Sequence, residues 1–319
     1  MKRFILLLFC LLLLSGCTVQ PATVESFALD TYITITVYNG NISAAEAALS
    51  RIDECERLLS AHKVDTDVAR INASDGLTPV PVDPLTVRVL DSALSVGRVS
   101  GGALDITLLP VSALWDYKSE SPIVPDETAI SEALSRKGME KISLDGNTVA
   151  SGGTQLDLGA VAKGAIGDEA RAVLLEKDVP SALLNLGGNI LTLGDKPDHS
   201  PWVIAIDDPN GDGAIGKLTF TGSMAVATSS GSQRFFVRDG VTYHHILDPE
   251  TGFPARSGLS SVTILAPDGL TADALSTALF VAGEEKASEI LHNYAGVSAV
   301  LLRDDGTVCL LGDPPFAQA

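Results

Sequence analysis

The chain has 319 residues, 45% of them hydrophobic, which is enough for one large domain or two fused ones. Its 40 acidic and 22 basic residues leave a net charge of -18, which argues against nucleic acid and against an anionic lipid surface as partner. An anionic ligand must therefore be held by a local arrangement of metal, lysine and backbone dipoles, because the general field repels it.

Residues 1–17, MKRFILLLFCLLLLSGC, read as a targeting signal: Lys2 and Arg3 start it, an apolar run of 11 residues follows, and Leu14, Ser15 and Gly16 precede Cys17. A membrane-spanning helix needs about 20 residues, so the run is too short to be one. The small-residue pattern resembles a bacterial lipobox. It predicts removal of residues 1–16, acylation of Cys17, a tether over residues 17–26, one domain over residues 27–319, and an extracytoplasmic, lipid-anchored protein. Cys10 leaves with the signal. Cys55 and Cys309 read as buried free thiols, although a disulfide is chemically open outside the cytoplasm.

Alternating β-branched and aromatic residues over 29–38 predict a strand, and the three-to-four spacing of Ala45, Leu49, Ile52, Cys55 and Leu59 predicts an amphipathic helix over 42–60. A polar loop with a short helix is expected over 60–72. A helix over 84–99 opens on Asp83 and Pro84. Two glycines, an acid and a long apolar run fill 101–117. A third helix spans 126–136, and two short strands, 141–144 and 148–150, flank a turn. In QLDLGAVAKGAIGD, residues 155–168, a short strand ending in Asp157 leads through small residues into a helix over 160–177 that carries Lys163. Acid, lysine and free N–H groups at a helix start suit a phosphate with its metal; the same small residues also suit simple close packing.

A strand over 181–185 ends in Gly187 and Gly188. Strands dominate 202–265, interrupted at 207–213 by an acidic loop that lacks the closing glutamate of a calcium site and reads as a solvated turn. Paired helices over 271–281 and 284–292 and a hairpin over 298–311 complete the chain. Runs of strands with separate helices predict an α+β fold of mixed or antiparallel sheets with flanking helices.

Three clusters offer chemistry. TYHHILDPETG places His244 and His245 beside Asp248 at a strand exit, a titratable pair or a structural one. In TADALST, Asp273 and Thr277 lie four apart on one helix face, where carboxylate and hydroxyl can both reach a hard cation; Asp273 also suits the helix dipole. The hydroxyls of AVATSSGSQR suit a phosphate or ribose, or their own backbone.

Taken together and in order, GALDITLLPVSALW, LDLGAVAKGAIGD, LLNLGGNI, AVATSS, YHHILDPETGFPA and TADALSTALFVAG resemble the ApbE family of FAD:protein FMN transferases over about residues 29–283. The resemblance implies a T-fold-related catalytic domain that splits FAD, moves FMN onto a Thr or Ser hydroxyl of an acceptor protein, and releases AMP. It implies flavin nucleotide contacts at Leu29, Ala103, Leu104, Asp105, Asp157, Lys163 and Ile246. It implies Mg2+ held by the Ala160 carbonyl, Asp273 and Thr277, with Ser276 as a further ligand. An acceptor hydroxyl is a poor nucleophile at neutral pH and needs a base, for which His245 is the candidate with Asp248 as its orienting acid. The acceptor is expected among subunits of membrane redox complexes or extracytoplasmic electron-transfer proteins. The same residues also fit a Mg2+-dependent FAD pyrophosphatase, with water in place of the acceptor, or a lipid-anchored flavin-binding protein.

Overall fold

The structure, a computed structural model, describes residues 20–117 and 119–319; the signal segment and Cys17 lie outside the described residues. In chain order come strands β1 (Ala22–Ala28) and β2 (Thr31–Val37), helices α1 (Ile42–Leu59) and α2 (Asp67–Ala73), strand β3 (Val80–Pro81), and helices α3 (Pro84–Val99), α4 (Leu109–Trp115) and α5 (Glu127–Leu134). Strands β4 (Ser143–Asp145) and β5 (Thr148–Ala150) precede helix α6 (Ala162–Glu176). Then follow β6 (Ala182–Leu186), β7 (Asn189–Leu193), β8 (Trp202–Asp207), β9 (Ala214–Phe220), β10 (Ala225–Ser230), β11 (Phe235–Arg238), β12 (Val241–His244) and β13 (Leu259–Ala266). Helices α7 (Gly269–Ala282) and α8 (Glu284–Leu291) lead to β14 (Ser298–Arg303), β15 (Val308–Leu311) and β16 (Phe316–Gln318).

An eight-stranded antiparallel sheet in the order β1-β2-β6-β7-β10-β13-β14-β15 forms the middle layer, and the fold is α+β as predicted. Period-two alternation divides its side chains between two cores. Ala225 and Ala227 of β10, Ile264 of β13 and Ala299 of β14 face the helices, while Val226, Leu265 and Val300 face the small sheet β16-β9-β8, where Trp202, Leu218 and Phe220 cover them. Each fully buried valine, leucine or isoleucine among them contributes about 1.5–3 kcal/mol. On the helix side, α1 buries Ala44, Ala45, Ala48, Ile52, Cys55 and Leu59 on one face; of the expected stripe, Ala45, Ile52, Cys55 and Leu59 are buried and Leu49 is half-buried at its border. Helix α7 is buried nearly all round, from Leu270 through Phe280.

Helix starts follow local chemistry. Asn41, Thr66, Asp83 and Asp126 each accept a backbone N–H of the helix they open, and Pro84 stands where no intrahelical partner is needed. Helix α6 has no such side-chain cap.

The structure revises three boundaries. Residues 22–26 of the expected tether belong to β1, since β2 offers a full partner from Ala22 to Ala28. The strand expected before Asp157 joins no sheet: Leu156 exchanges hydrogen bonds of 2.6 and 2.9 Å with the Asn72 side chain, and Asp157 N–H donates to Ile106 O at 2.8 Å. A carboxamide thus does what a neighbouring strand would do. Leu29 sits outside the strand predicted over 29–38, in the β1–β2 turn with φ 55°. The loop at 207–213 is a turn closed by Asp208 N–H to Gly213 O, and both cysteines are free thiols, Cys55 buried as expected and Cys309 half-buried.

Candidate active site

Antiparallel pairing brings several turns and termini to one end of the large sheet: the β1–β2 turn at Leu29, the β6–β7 turn at Gly187 and Gly188, the end of β10, and the start of α6. Gly187 packs so closely on Thr31 that a Cβ there would lie 1.9 Å from its hydroxyl, and its φ of 64° suits glycine. The two turns are locked together.

Asp273 is at the centre. It lies in the apolar helix α7 and is 6% exposed. Its Oδ2 accepts the Gly164 N–H at 2.9 Å and its Oδ1 accepts Asn189 Nδ2 at 2.9 Å. The cap that α6 lacks locally is therefore supplied from α7, 109 positions away. The approach is possible because α6 and α7 cross at two glycines: a Cβ on Gly164 would meet Gly269 O at 2.0 Å, and one on Gly269 would meet Gly164 O at 2.4 Å. Asp168 secures the crossing by accepting the Gly269 and Leu270 N–H groups at 2.8 and 2.9 Å. Burial raises the Asp273 carboxyl above the usual carboxylate range, and Lys163, Asn189 and the α6 amides oppose that rise.

Hydroxyls complete this side of the site. Ser276 Oγ donates to Asp273 O at 2.8 Å and lies 2.8 Å from Ser229 Oγ, which is 3.1 Å from Thr277 Oγ1. The hydroxyl expected from Ser276 as a metal ligand is thus buried and committed to its own helix and to β10. Thr277 is half-buried and remains the accessible member. Among the described residues no cluster of three or more His, Cys, Asp or Glu forms, so the donor set is one carboxylate, the Thr277 hydroxyl and the backbone at Ala160, in the turn entering α6. All are hard oxygen donors, which fits Mg2+ completed by phosphate and water and does not fit a soft metal.

His245 stands across from α6. Burial, helped by Arg234 and Lys163, pushes its ring down to about 4, so it is neutral at physiological pH. Its Nδ1 lies 3.3 Å from Arg234 O. A carbonyl only accepts, so that contact requires the proton on Nδ1 and leaves Nε2 as the acceptor. The expected Asp248–His245 pair is not formed: Asp248 accepts Glu250 N–H at 2.8 Å and the Thr251 hydroxyl at 3.2 Å, closing its own turn. His244 is buried, 3.1 Å from Ala255 O and edge-on to Phe280.

The 103–105 segment and Asp157 are brought together by the Asp157–Ile106 bond. Asp105 accepts the Thr107 N–H and hydroxyl, and Asp157 accepts the Gly159 N–H, each through Oδ1. Leu104 and Ile246 are core residues at 1% and 8% exposure, so their side chains position Asp105 and His245 and have no free face for a nucleotide. Ala103 and Leu29 are half-buried at the rim.

Sequence reasoning passed over Asn189, Asp168 and the Gly164–Gly269 pair as site residues, and left Ser229 among the hydroxyls of AVATSSGSQR without assigning it a partner. A signal existed for two of them. Asn189 shares its strand face with Leu191 and Leu193, and Ser229 shares its face with Ala225 and Ala227, so each is a polar residue on a core-facing position.

The description of the ApbE family matches residues 29–301. The FAD:protein FMN transferase of Treponema pallidum is 38% identical over 284 residues, covering 83% of this chain and 78% of its own length. That of Klebsiella pneumoniae is 32% identical, covering 87% and 88%. Among solved structures, the ApbE protein of Thermotoga maritima superposes with a TM-score of 0.84 at 36% identity, covering 92% of this chain and 97% of its own. The flavin transferase ApbE of Vibrio cholerae gives 0.81 at 25% identity, covering 92% and 97%. Sequence and whole-chain architecture agree, and the chain belongs to the ApbE family.

Proposed function

We propose that this protein is a transferase that moves FMN from FAD to a Thr or Ser hydroxyl of an acceptor protein. The acceptor oxygen forms a bond to the FMN phosphorus, the pyrophosphate P–O bond to AMP breaks, and AMP departs. The observation that carries the reading is the convergence of Lys163, the α6 start, Asp273 and a neutral His245 at one end of the sheet, in a chain of this family.

Each residue has a physical task. Lys163 and the N–H groups of the α6 start offset the charge of the pyrophosphate, which the chain's overall field would repel. Asp273, Thr277 and the Ala160 carbonyl would hold Mg2+, which when bound polarises the attacked phosphate. Nε2 of His245 takes the proton of the acceptor hydroxyl, a poor nucleophile until deprotonated; Arg234 O, and not Asp248, fixes its tautomer. Asp105 and Asp157 lie together where they can accept from the nucleotide. The lipobox reading adds that Cys17 is acylated and holds the domain outside the cytoplasmic membrane; a Cys17→Ser chain recovered in the membrane fraction with the same lipid label would remove that part.

Purified protein given FAD, Mg2+ and a flavin-acceptor domain with a single target threonine is expected to yield a covalent fluorescent adduct and stoichiometric AMP. Release of FMN and AMP without adduct would favour the pyrophosphatase, and tight flavin binding with no turnover would favour capture.

A further inference from the structure

Strands β11 and β12 form a two-stranded ribbon separate from the large sheet. His245 N–H donates to Arg234 O at 3.0 Å, which sets the hydrogen-bonded pairs of the ladder at Arg234–His245, Phe236–Tyr243 and Arg238–Val241. Thr242 and His244 consequently turn their backbone groups outward on the β12 side. There Arg256 donates to Thr242 O, and the Tyr117 hydroxyl donates to His244 O at 2.7 Å. That edge is covered.

On the β11 side the outward positions are Phe235 and Val237. Among the described residues no hydrogen bond reaches their backbone groups, and their side chains are 50% and 58% exposed. Behind them the ribbon is rigid: Phe236 and Tyr243 stack 5.3 Å apart and pack on Trp115, whose Nε1 donates to Gly252 O at 3.0 Å. Exposed Arg234 and Arg238 stand at the two ends of this edge, and neither is in an ion pair among the described residues. Two guanidinium groups within five residues are a local exception on a chain of charge -18. The edge also leads into the site, since Arg234 adjoins His245 and β11 follows the Ser229 strand end by a short turn.

We propose that the free edge of β11 docks the acceptor protein, which adds an extended, negatively charged segment as a third strand and so delivers its hydroxyl to His245. The inference rests on the transferase reading. The reaction needs a peptide hydroxyl threaded to Nε2, an unpaired edge supplies main-chain hydrogen bonds to any extended segment, and the flanking arginines select its charge.

Val237→Pro tests it, because proline removes an outward N–H while the inward pairs at Phe236 and Arg238 keep theirs. The KM for the acceptor domain is expected to rise about fivefold or more, with the KM for FAD and acceptor-independent release of FMN and AMP unchanged. Arg238→Glu, which leaves the strand backbone intact, is expected to raise the acceptor KM by a similar factor, and added salt should shrink the difference from wild type. Wild-type acceptor KM in both variants would overturn the docking site alone. Dimers in sedimentation that Val237→Pro dissolves would assign the edge to a second copy of the chain and overturn it as well. A wild-type protein that forms no adduct would overturn the transferase reading and this inference together.

Discussion

Replacing Gly164 by alanine sets local preference against tertiary geometry. Inside a helix, and with no positive φ to protect, alanine is favoured over glycine by about 1 kcal/mol. The new methyl, however, would stand 2.0 Å from Gly269 O, 2.5 Å from Gly269 C and 2.7 Å from Asp273 Cβ. Carbon contacts are comfortable at about 3.5–4.0 Å, so α6 and α7 must part by about 1 Å or more. Overpacking of this kind costs about 1–3 kcal/mol. Weakening the charge-assisted bond from Gly164 N–H to Asp273 adds about 1.5–3 kcal/mol. The net expectation is a loss of about 1.5–5 kcal/mol, or roughly 2–8 °C in Tm for a domain of this size. Because the displaced group is Asp273 itself, kcat/KM for FMN release should fall about 100-fold, as for other misplacements near 1 Å. Calorimetry with an AMP-release assay measures both. A variant with raised Tm and unaltered turnover would refute the crossing as the element that assembles the site.

The raised pKa of Asp273 makes its charged form a cost in the folded state. That contribution to stability is fully present below the ordinary value of 3.8 and is lost as pH rises through the raised one. Mg2+ should therefore raise Tm at neutral pH, less so in acid, and not at all in Asp273→Asn; equal shifts in both proteins would remove the metal assignment. For His245 the pKa is depressed, so its stabilising share is present above 6.5 and lost as pH falls through about 4. Turnover should hold level from neutrality down to that region, and His245→Gln should lower kcat/KM by about 100-fold or more and abolish the acid limb; a limb centred near 6.5 in the wild type would contradict the half-buried, Arg234-bonded ring. Asp168→Ala leaves the Gly269 and Leu270 N–H groups without their acceptor and should cost about 2–4 kcal/mol in urea unfolding, with the FAD KM rising as the crossing loosens.

Much of the architecture could be read from local pattern, because periodicity and capping are local physics. The stripe of α1, the Asp83–Pro84 start of α3, the Asp126 start of α5 and the alternation in β2 all lie within a few residues of what determines them. The motif set likewise marked Lys163, Asp273, Thr277 and His245, polar residues in otherwise apolar or small-residue stretches. Partnership was not legible, because hydrogen bonds between distant segments leave no spacing in the chain. Ser276 and Thr277 look alike on a helical wheel, yet only packing against β10 buries the one and spares the other. Asp248 is three residues from His245 and bonds its own turn instead, while a carbonyl 11 residues back orients the ring. The segment at 155–168 could be read from sequence as a packing turn or as an anion site. Tertiary structure shows what its packing does: the glycine that lets α7 approach also donates its N–H to Asp273, so the close packing is what brings the carboxylate to the helix start.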